Sequence, residues 1–175
     1  MRRAKDLLQA PDFGFELTPD YLCTIHKRLF EGVFSNAGCF RRYLIIWPKD
    51  YYPLTPGVIP CTLPYKLENI FSIEKRLNLA GLDAKTLAPF VANLYAEIWL
   101  LHPFENGNTR TTTIFIIKYL RALGYNVGNA LFEREYTHFK TALTQSCFLM
   151  PGRKRTDKPL YDFFEKVILA ETPGG

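Results

Sequence analysis

One helix has to stop and another has to start within His102-Pro103-Phe104-Glu105-Asn106-Gly107-Asn108-Thr109-Arg110. Upstream, Val91, Leu94, Ile98 and Leu101 recur at helical intervals. Pro103 ends that helix and leaves His102 at its C-terminal edge. Downstream, Ile114 to Leu120 is apolar enough for a second, largely buried helix, so Gly107, Asn108, Thr109 and Arg110 form its loop and first turn. Free backbone N–H groups and the positive dipole end gather there, which makes a site for an anion such as phosphate. An imidazole titrates near neutrality and accepts a proton from a Ser, Thr or Tyr hydroxyl at the moment of attack. The layout predicts a base, His102, facing a phosphate cradle. In that cradle Gly107 lets backbone approach the anion, Asn108 donates from its side-chain amide, and Arg110 offers a bidentate fork. Phe104 reads as a core anchor for the loop.

The rest of the chain is also helical in pattern. Residues 1–16 hold little periodicity and read as a lead-in with turns at Pro11 and Gly14. Thr18 as N-cap and Pro19 as first residue open a helix whose apolar face is Leu22, Ile25, Leu29 and Phe30. His26, inside it, reads as a structural or surface histidine. Residues 34–41 form a turn-rich exit. From Arg42 onward the chain reads as extended, with prolines at 48, 53, 56, 60 and 64. Residues 43–47 suit a short strand. Residues 58–63 suit either a surface loop or an edge hairpin, because proline is tolerated only on edges. Further helices are expected over 64–79, from a cap at Asp83 or Thr86 to His102, over 110–123 with Gly124 as C′ residue, over 129–146, and over 158–170. Residues 171–175 should fray. There is no internal repeat, linker or low-complexity tract.

Composition narrows the function classes. The net charge of +5 is carried by no long basic run, and Arg153-Lys154-Arg155, the densest patch, reads as a solvated loop. A nucleic-acid groove needs basic residues spread over a face, so no nucleic-acid partner is expected. The four cysteines, Cys23, Cys39, Cys61 and Cys147, form no C-x-x-C pair, which favours reduced thiols over a zinc or disulfide framework. The start is too short and polar for a signal peptide, and no apolar run is long enough to span a bilayer. The expectation is a cytoplasmic protein with no membrane partner, with export as an effector left open.

The stretch from His102 to Arg110 resembles the signature of the Fic (filamentation induced by cAMP) domain family, written H-x-F-x-[DE]-G-N-G-R-x-x-R. His102, Phe104, Gly107, Asn108 and Arg110 match it at the right spacing. Asn106 stands where the family has an acid, Thr109 where it has the last glycine, and Thr113 where it has a second arginine. A second patch, "IHKRLFEGVFSNAGCFR", resembles the family's segment joining the first core helix to the flap hinge. The resemblance covers about residues 17–146. It implies an all-α fold, a compact Fic-like helical bundle with a small β-hairpin flap, in a single domain over 1–175 with a C-terminal loop and helix from 147.

The resemblance also implies a function: a protein adenylyltransferase that transfers AMP from ATP to a Ser, Thr or Tyr hydroxyl of a target protein, with His102 as general base. Gly107, Asn108, Thr109 and Arg110 would bind the phosphates. By alignment on "YTHFKTAL", His138, Phe139 and Ser146 would form the nucleobase pocket. Ile59, Pro60, Cys61, Thr62 and Leu63 would form the target-docking flap, which pairs with an extended target segment. The family's acid holds Mg²⁺; Asn106 offers a neutral amide oxygen and would be a weaker ligand. Thr113 replaces the arginine that contacts the γ-phosphate and pairs with an inhibitory glutamate. No [ST]-x-x-x-E-[GN] segment for that glutamate occurs at either terminus, so regulation would come from a separate regulatory or antitoxin protein. Two alternatives remain: a degenerate Fic domain acting as a nucleotide- or protein-binding module, and transfer of a different group. Relatives that transfer phosphate carry Ala-Asn-Lys-Arg where this chain has Gly107-Asn108-Thr109-Arg110, which disfavours simple phosphotransfer.

Overall fold

The computed structural model describes residues 2–9, 14–47, 52–53, 58–149, 151–152 and 154–170. Its helices are α1 (Arg2–Gln9), α2 (Pro19–Phe30), α3 (Leu63–Glu74), α4 (Ala84–Leu101), α5 (Asn108–Ala122), α6 (Ala130–Arg134), α7 (Tyr136–Cys147) and α8 (Lys158–Leu169). The protein is all-α, as expected. Capping residues set the starts. The Thr18 hydroxyl accepts from the Tyr21 N–H at 3.2 Å, with Pro19 just inside the first turn of α2. Asp83 Oδ1 accepts from the Thr86 N–H at 3.1 Å and opens α4. Asp83 is thus the cap, and Thr86 its partner.

α4 and α5 form the centre. α5 is buried along nearly its whole length, from Asn108 to Leu120, the pattern of a helix enclosed by others. It packs on α2 and α4, while α4 packs on α8, α3 and α7. The α8 face of Leu160, Phe163, Phe164, Val167 and Ile168 is fully buried against this centre. Aromatic rings wedge the joints: Phe71 lies 5.3 Å from Phe115, and Tyr95 meets Phe139 edge-on at 5.1 Å. Among the described residues no helix is long and apolar enough to cross a membrane.

The structure departs from the sequence expectations in four places. The lead-in is helical: α1 buries Leu7, and the Arg3 guanidinium donates to the Leu29 and Glu31 carbonyls at the end of α2. Eight residues cannot hold a helix alone, so tertiary contacts supply the stability that periodicity did not announce. Residues 129–146 divide at Glu135 into α6 and α7, and α3 stops at Glu74.

The β elements also differ. Residues 43–47 form no strand, and residues 58–63 form no hairpin. Instead Pro60–Thr62 is a 3₁₀ turn and Leu63 begins α3, buried in the core. Pro60 and Pro64 each fall in the first turn of a helical element, where the missing N–H costs nothing. The β pairing is between β1 (Tyr52–Pro53) and β2 (Phe148–Leu149), antiparallel, with Tyr52 opposite Leu149. The expected turn at Pro11 and the prolines at 48 and 56 lie outside the described residues. Arg155 is not simply solvated: it donates to the Ser146 carbonyl and to Asp157.

Removing the Phe164 ring would leave a cavity against α4. Phe164→Ala is expected to destabilise the protein by about 3–5 kcal/mol. A urea titration showing less than about 1 kcal/mol would mean that α8 is not part of the central packing.

Candidate active site

α4 ends at Leu101, and His102 caps it in the left-handed conformation, φ 47°, ψ 60°. It is the one non-glycine residue with positive φ among the described residues. Such backbone costs on the order of 1–3 kcal/mol and needs support from its surroundings. Arg41 supplies it. This arginine is 3% exposed, and its guanidinium donates to the carbonyls of His102 (2.8 Å) and Leu101 (3.2 Å). Its backbone N–H donates to the Pro103 carbonyl at 2.8 Å. A cation at a helix C-terminus also meets the negative end of the dipole.

The loop after His102 is held by three side chains. Phe104 is 1% exposed, the core anchor expected from the sequence. His26 stacks flat on it, 3.9 Å between ring centroids and 6° between planes. His26 Nδ1 accepts from the Gly38 N–H at 2.8 Å, which leaves Nε2–H to donate to the Asn106 carbonyl at 3.1 Å. The histidine is structural, and it ties the turn after α2 to the loop. Asn108 closes the loop from the other side: its Oδ1 accepts from the Phe104 N–H and its Nδ2 donates to the Phe104 carbonyl, at 2.9 and 2.8 Å. The side-chain amide therefore shapes the loop first, with one Nδ2 N–H committed to it, and the Asn108 backbone N–H lies in the open first turn of α5.

α5 starts at Asn108 with Gly107 as N-cap, φ 75°. A Cβ at 107 would lie 2.3 Å from the Phe30 ring. Glycine is required here by Phe30 and by the backbone angle, a reason closer to hand than room for a ligand. Thr111 N–H bonds the Gly107 carbonyl, and the N–H groups of Asn108, Thr109 and Arg110 precede it in the open first turn. Thr109 is locked to α4: its Oγ1 accepts from Trp99 Nε1 at 3.0 Å, and its carbonyl accepts from the Tyr95 hydroxyl at 3.1 Å. Tyr95 has one proton, so the Thr113 hydroxyl donates to it at 3.0 Å. Arg110 is exposed, its guanidinium 5.6 Å from the Phe30 ring centre, and no carboxylate pairs with it among the described residues.

A cleft of about 660 Å³ is lined by His102, Glu105, Asn106 and the Gly107–Arg110 turn. Phe132, Tyr136 and Phe139 form its far wall. The size suits a nucleotide-sized ligand. Residues 104–106 are bends, not helix, so Glu105 is not turned away from Asn106; both line the cleft. The expected nucleobase set is only partly brought together. Phe139 reaches the wall, though its ring is mostly packed against Phe132, Phe163 and Tyr95. His138 is exposed outside the cleft lining and pairs with Glu135 at 3.5 Å. Ser146 is buried and donates to Asp157 at 2.7 Å. Tyr136, half exposed, is the accessible aromatic of the wall, two residues from the one the alignment chose.

The electrostatics of His102 follow from its setting. Nδ1 is buried with no hydrogen-bond partner among the described residues. Burial pushes the pKa down from 6.5 to about 4, the nearby Trp99 carbonyl resisting and the charges of Arg41 and Lys140 adding to the fall. Lys140 sits 4.3 Å above the Trp99 ring centre. Trp47 stands edge-on to the imidazole at 5.3 Å. Arg41, His26, Trp47 and Tyr136 are the residues that sequence reasoning missed or left without a role. Arg41 stands beside Arg42 after a turn that also holds Ser35 and Asn36, and nothing in the sequence marked it for burial.

An imidazole at a left-handed helix end shares one cleft with the open N-terminus of the next helix, in an all-helical frame. The model of the Fic/DOC family matches residues 16–120, and the chain belongs to that family. Among curated proteins it is 27% identical to a protein adenylyltransferase of Bartonella henselae, with 66% of this chain and 23% of that protein aligned. It is 30% identical over 119 residues to the probable protein adenylyltransferase Fic of Escherichia coli, covering 66% and 56% of the two. The chain thus spans about a quarter of the first relative's length and just over half of the second's. The fold matches the BepC protein of Bartonella tribocorum, a VirB-translocated effector solved with bound AMPPNP, with TM-score 0.76, 23% identity and coverage of 95% and 80%. Fic-1 of C. elegans also matches, with TM-score 0.65 and 16% identity, over 97% of this chain and 47% of that one.

The His26 bridge has a pH signature. Burial lowers its pKa below the ordinary 6.5. The folded state therefore favours the neutral ring, and the contribution is complete above about pH 6.5 and lost as pH falls toward the lowered folded value. His26→Phe keeps the stack but leaves the Asn106 carbonyl and Gly38 N–H unpaired. The expected cost at pH 7.5 is about 1–3 kcal/mol, shrinking by pH 5. Urea midpoints measured across that range check it; an unchanged difference between the two proteins would show that His26 does not titrate on unfolding.

Proposed function

We propose that this chain is a protein adenylyltransferase that moves AMP from ATP onto a Ser, Thr or Tyr hydroxyl of a target protein. The observation that carries this is the sharing of one cleft by an imidazole, an open helix N-terminus and an unpaired guanidinium. The names of the curated relatives support the same reading.

In this mechanism the triphosphate lies along the N–H groups of Asn108, Thr109 and Arg110, with the Arg110 guanidinium on phosphate oxygens. The base stacks toward Tyr136. The target hydroxyl approaches His102, whose Nδ1 is buried, so Nε2 is the nitrogen that takes the proton. As that proton leaves, the hydroxyl oxygen bonds to the α-phosphorus and the bond to the bridging oxygen breaks, releasing pyrophosphate. Holding the reactants in line and neutralising their charge does most of the work.

ATP chemistry in this family implies Mg²⁺. Among the described residues no group of three acidic, histidine or cysteine side chains forms a cage. Mg²⁺ does not need one: it takes one or two carboxylates and fills its shell with phosphate oxygens and water. Glu105 and Asn106 on the cleft rim fit that requirement, Glu105 with charge and Asn106 with a neutral oxygen. When bound, the metal neutralises phosphate charge.

A second reading has one observation behind it. Thr113 and Tyr95 are bound to each other in the core where the family has a second arginine, so the γ-phosphate has one fewer cation to meet. That favours a domain that binds nucleotide without transferring it. Incubation with α-labelled ATP, Mg²⁺ and a cell lysate separates the two. Wild type should label a protein and His102→Ala should not, with at least a 100-fold loss. Glu105→Gln should weaken labelling, and Asn106→Glu should strengthen it. Binding of ATP with no labelling by wild type or Asn106→Glu would replace the first reading with the second.

The pH profile gives an independent check. The neutral imidazole is the active form, so activity is present above its pKa and lost as pH falls through it. With that pKa lowered to about 4, kcat/KM for ATP, which reports the free protein, should stay flat well below pH 6.5. An acid limb centred at 6.5 or above would remove His102, in this environment, from the role of base.

A further inference from the structure

We propose that Arg41 is the positioning residue of this site, fixing where the His102 imidazole points and tying it to the segments that hold Tyr43 and Val58. The inference rests on the transferase reading for its kinetic part, but not for its structural part.

The geometry of Arg41 is unusual for a buried cation. Among the described residues no carboxylate neutralises it. It is satisfied by backbone carbonyls alone: Nε by His102, Nη2 by Leu101 and Val58, and Nη1 by Tyr43. Two of these carbonyls belong to the strained end of α4. The other two belong to Tyr43, in the stretch after Arg41, and to Val58, two residues before the 3₁₀ turn. A lysine has the charge but no planar fork, so it cannot span these directions at once. The His102 imidazole then has little freedom. Its backbone is pinned on one side by Arg41 and by its own N–H to the Trp99 carbonyl, and its ring meets Trp47 edge-on.

The three tyrosine-to-threonine and tryptophan-to-threonine bonds that hold the anion-binding turn do not involve Arg41. Its loss should therefore spare nucleotide binding and strike the base. A core residue of merely structural importance would lower stability and take both down together. The charged groups that face His102 are Arg41 itself, on the segment after α2, and Lys140, on α7. Loss of the first leaves the second in place.

The test uses the full chain as wild type, Arg41→Lys and Arg41→Met. Imidazole ¹⁵N spectra resolve the three histidines, with His102→Ala assigning the signal. The expected result is that Arg41→Met raises the His102 titration midpoint and makes its ring signals those of an averaged tautomer, while His26 is unmoved. The Kd for ATP should stay within about 2-fold, and single-turnover transfer should fall by 10- to 100-fold with KM for the target little changed. Arg41→Lys should recover the titration midpoint but less than a tenth of the lost rate. If Arg41→Met leaves the His102 signals as in wild type, the inference is wrong whatever the kinetics show. If the His102 signals shift but wild type transfers nothing, the positioning role stands and the transferase reading falls. A thermal unfolding curve accompanies each variant. Should Arg41→Met not fold, Arg41→Lys carries the test alone, and wild-type His102 signals and rate in it would overturn the inference.

Discussion

A helix that ends in the protein interior has carbonyls with no partners, and the end of α4 is where this structure answers that demand. Pro103 forbids continuation, so the orphan carbonyls of Leu101 and His102 need donors, and water is not available to a buried end. One arginine meets both, and its own N–H meets a third at Pro103. Each hydrogen bond from a charged donor contributes about 1.5–3 kcal/mol, enough together to offset a left-handed histidine. His102 is therefore held through its backbone, with no hydrogen bond to Nδ1 among the described residues. This differs from sites in which a carboxylate orients the imidazole, and it explains why Nδ1 has no partner while the residue is still fixed.

The loop beyond obeys the same economy. Six residues separate the two helices, and the contacts that shape them come from inside: His26 stacked on Phe104, Asn108 across, Phe30 against Gly107. What remains unpaired points into the cleft, namely the first N–H groups of α5 and the Arg110 guanidinium. The side chains are used on the scaffold, and the first-turn backbone N–H groups of α5 are left open beside the cleft. Asn108 and Gly107 illustrate this. Both look like ligand contacts in the sequence, and both turn out to act on the loop first.

What the sequence disclosed and what it hid divide along that line. The helices around the site were legible because apolar periodicity, Thr18, Asp83, Pro103 and Gly124 are local signals. The helix break at His102 and the open turn at Gly107 were legible because His-Pro followed by Gly-Asn is a local stop-and-start signal. The flap was misplaced: proline-rich sequence suits an edge strand and a helix start equally, and only the packing of Leu63 decided between them. α1 was missed because its stability comes from contacts with α2 and α5. His138 and Ser146 were chosen by alignment on "YTHFKTAL", which does not say which face of α7 borders the cleft; Tyr136 and Phe139 line it, and His138 does not. Arg41 was invisible because burial of a charge against carbonyls leaves no mark on composition or spacing.

The low pKa of His102 bears on how such a site would work. A base with pKa about 4 is present almost wholly in its neutral form at pH 7, but it is also a weak acceptor. The fall comes chiefly from burial, which penalises the imidazolium. Phosphates brought to the α5 N-terminus add negative charge nearby, and that favours the charged form and raises the pKa. Ligand binding would thus strengthen the base at the moment it is needed, without any movement of the ring. Arg41 and Lys140 work against this and keep the ring neutral beforehand. A site built this way depends on the anion for its basicity, so the affinity for nucleotide and the strength of the base are one linked property.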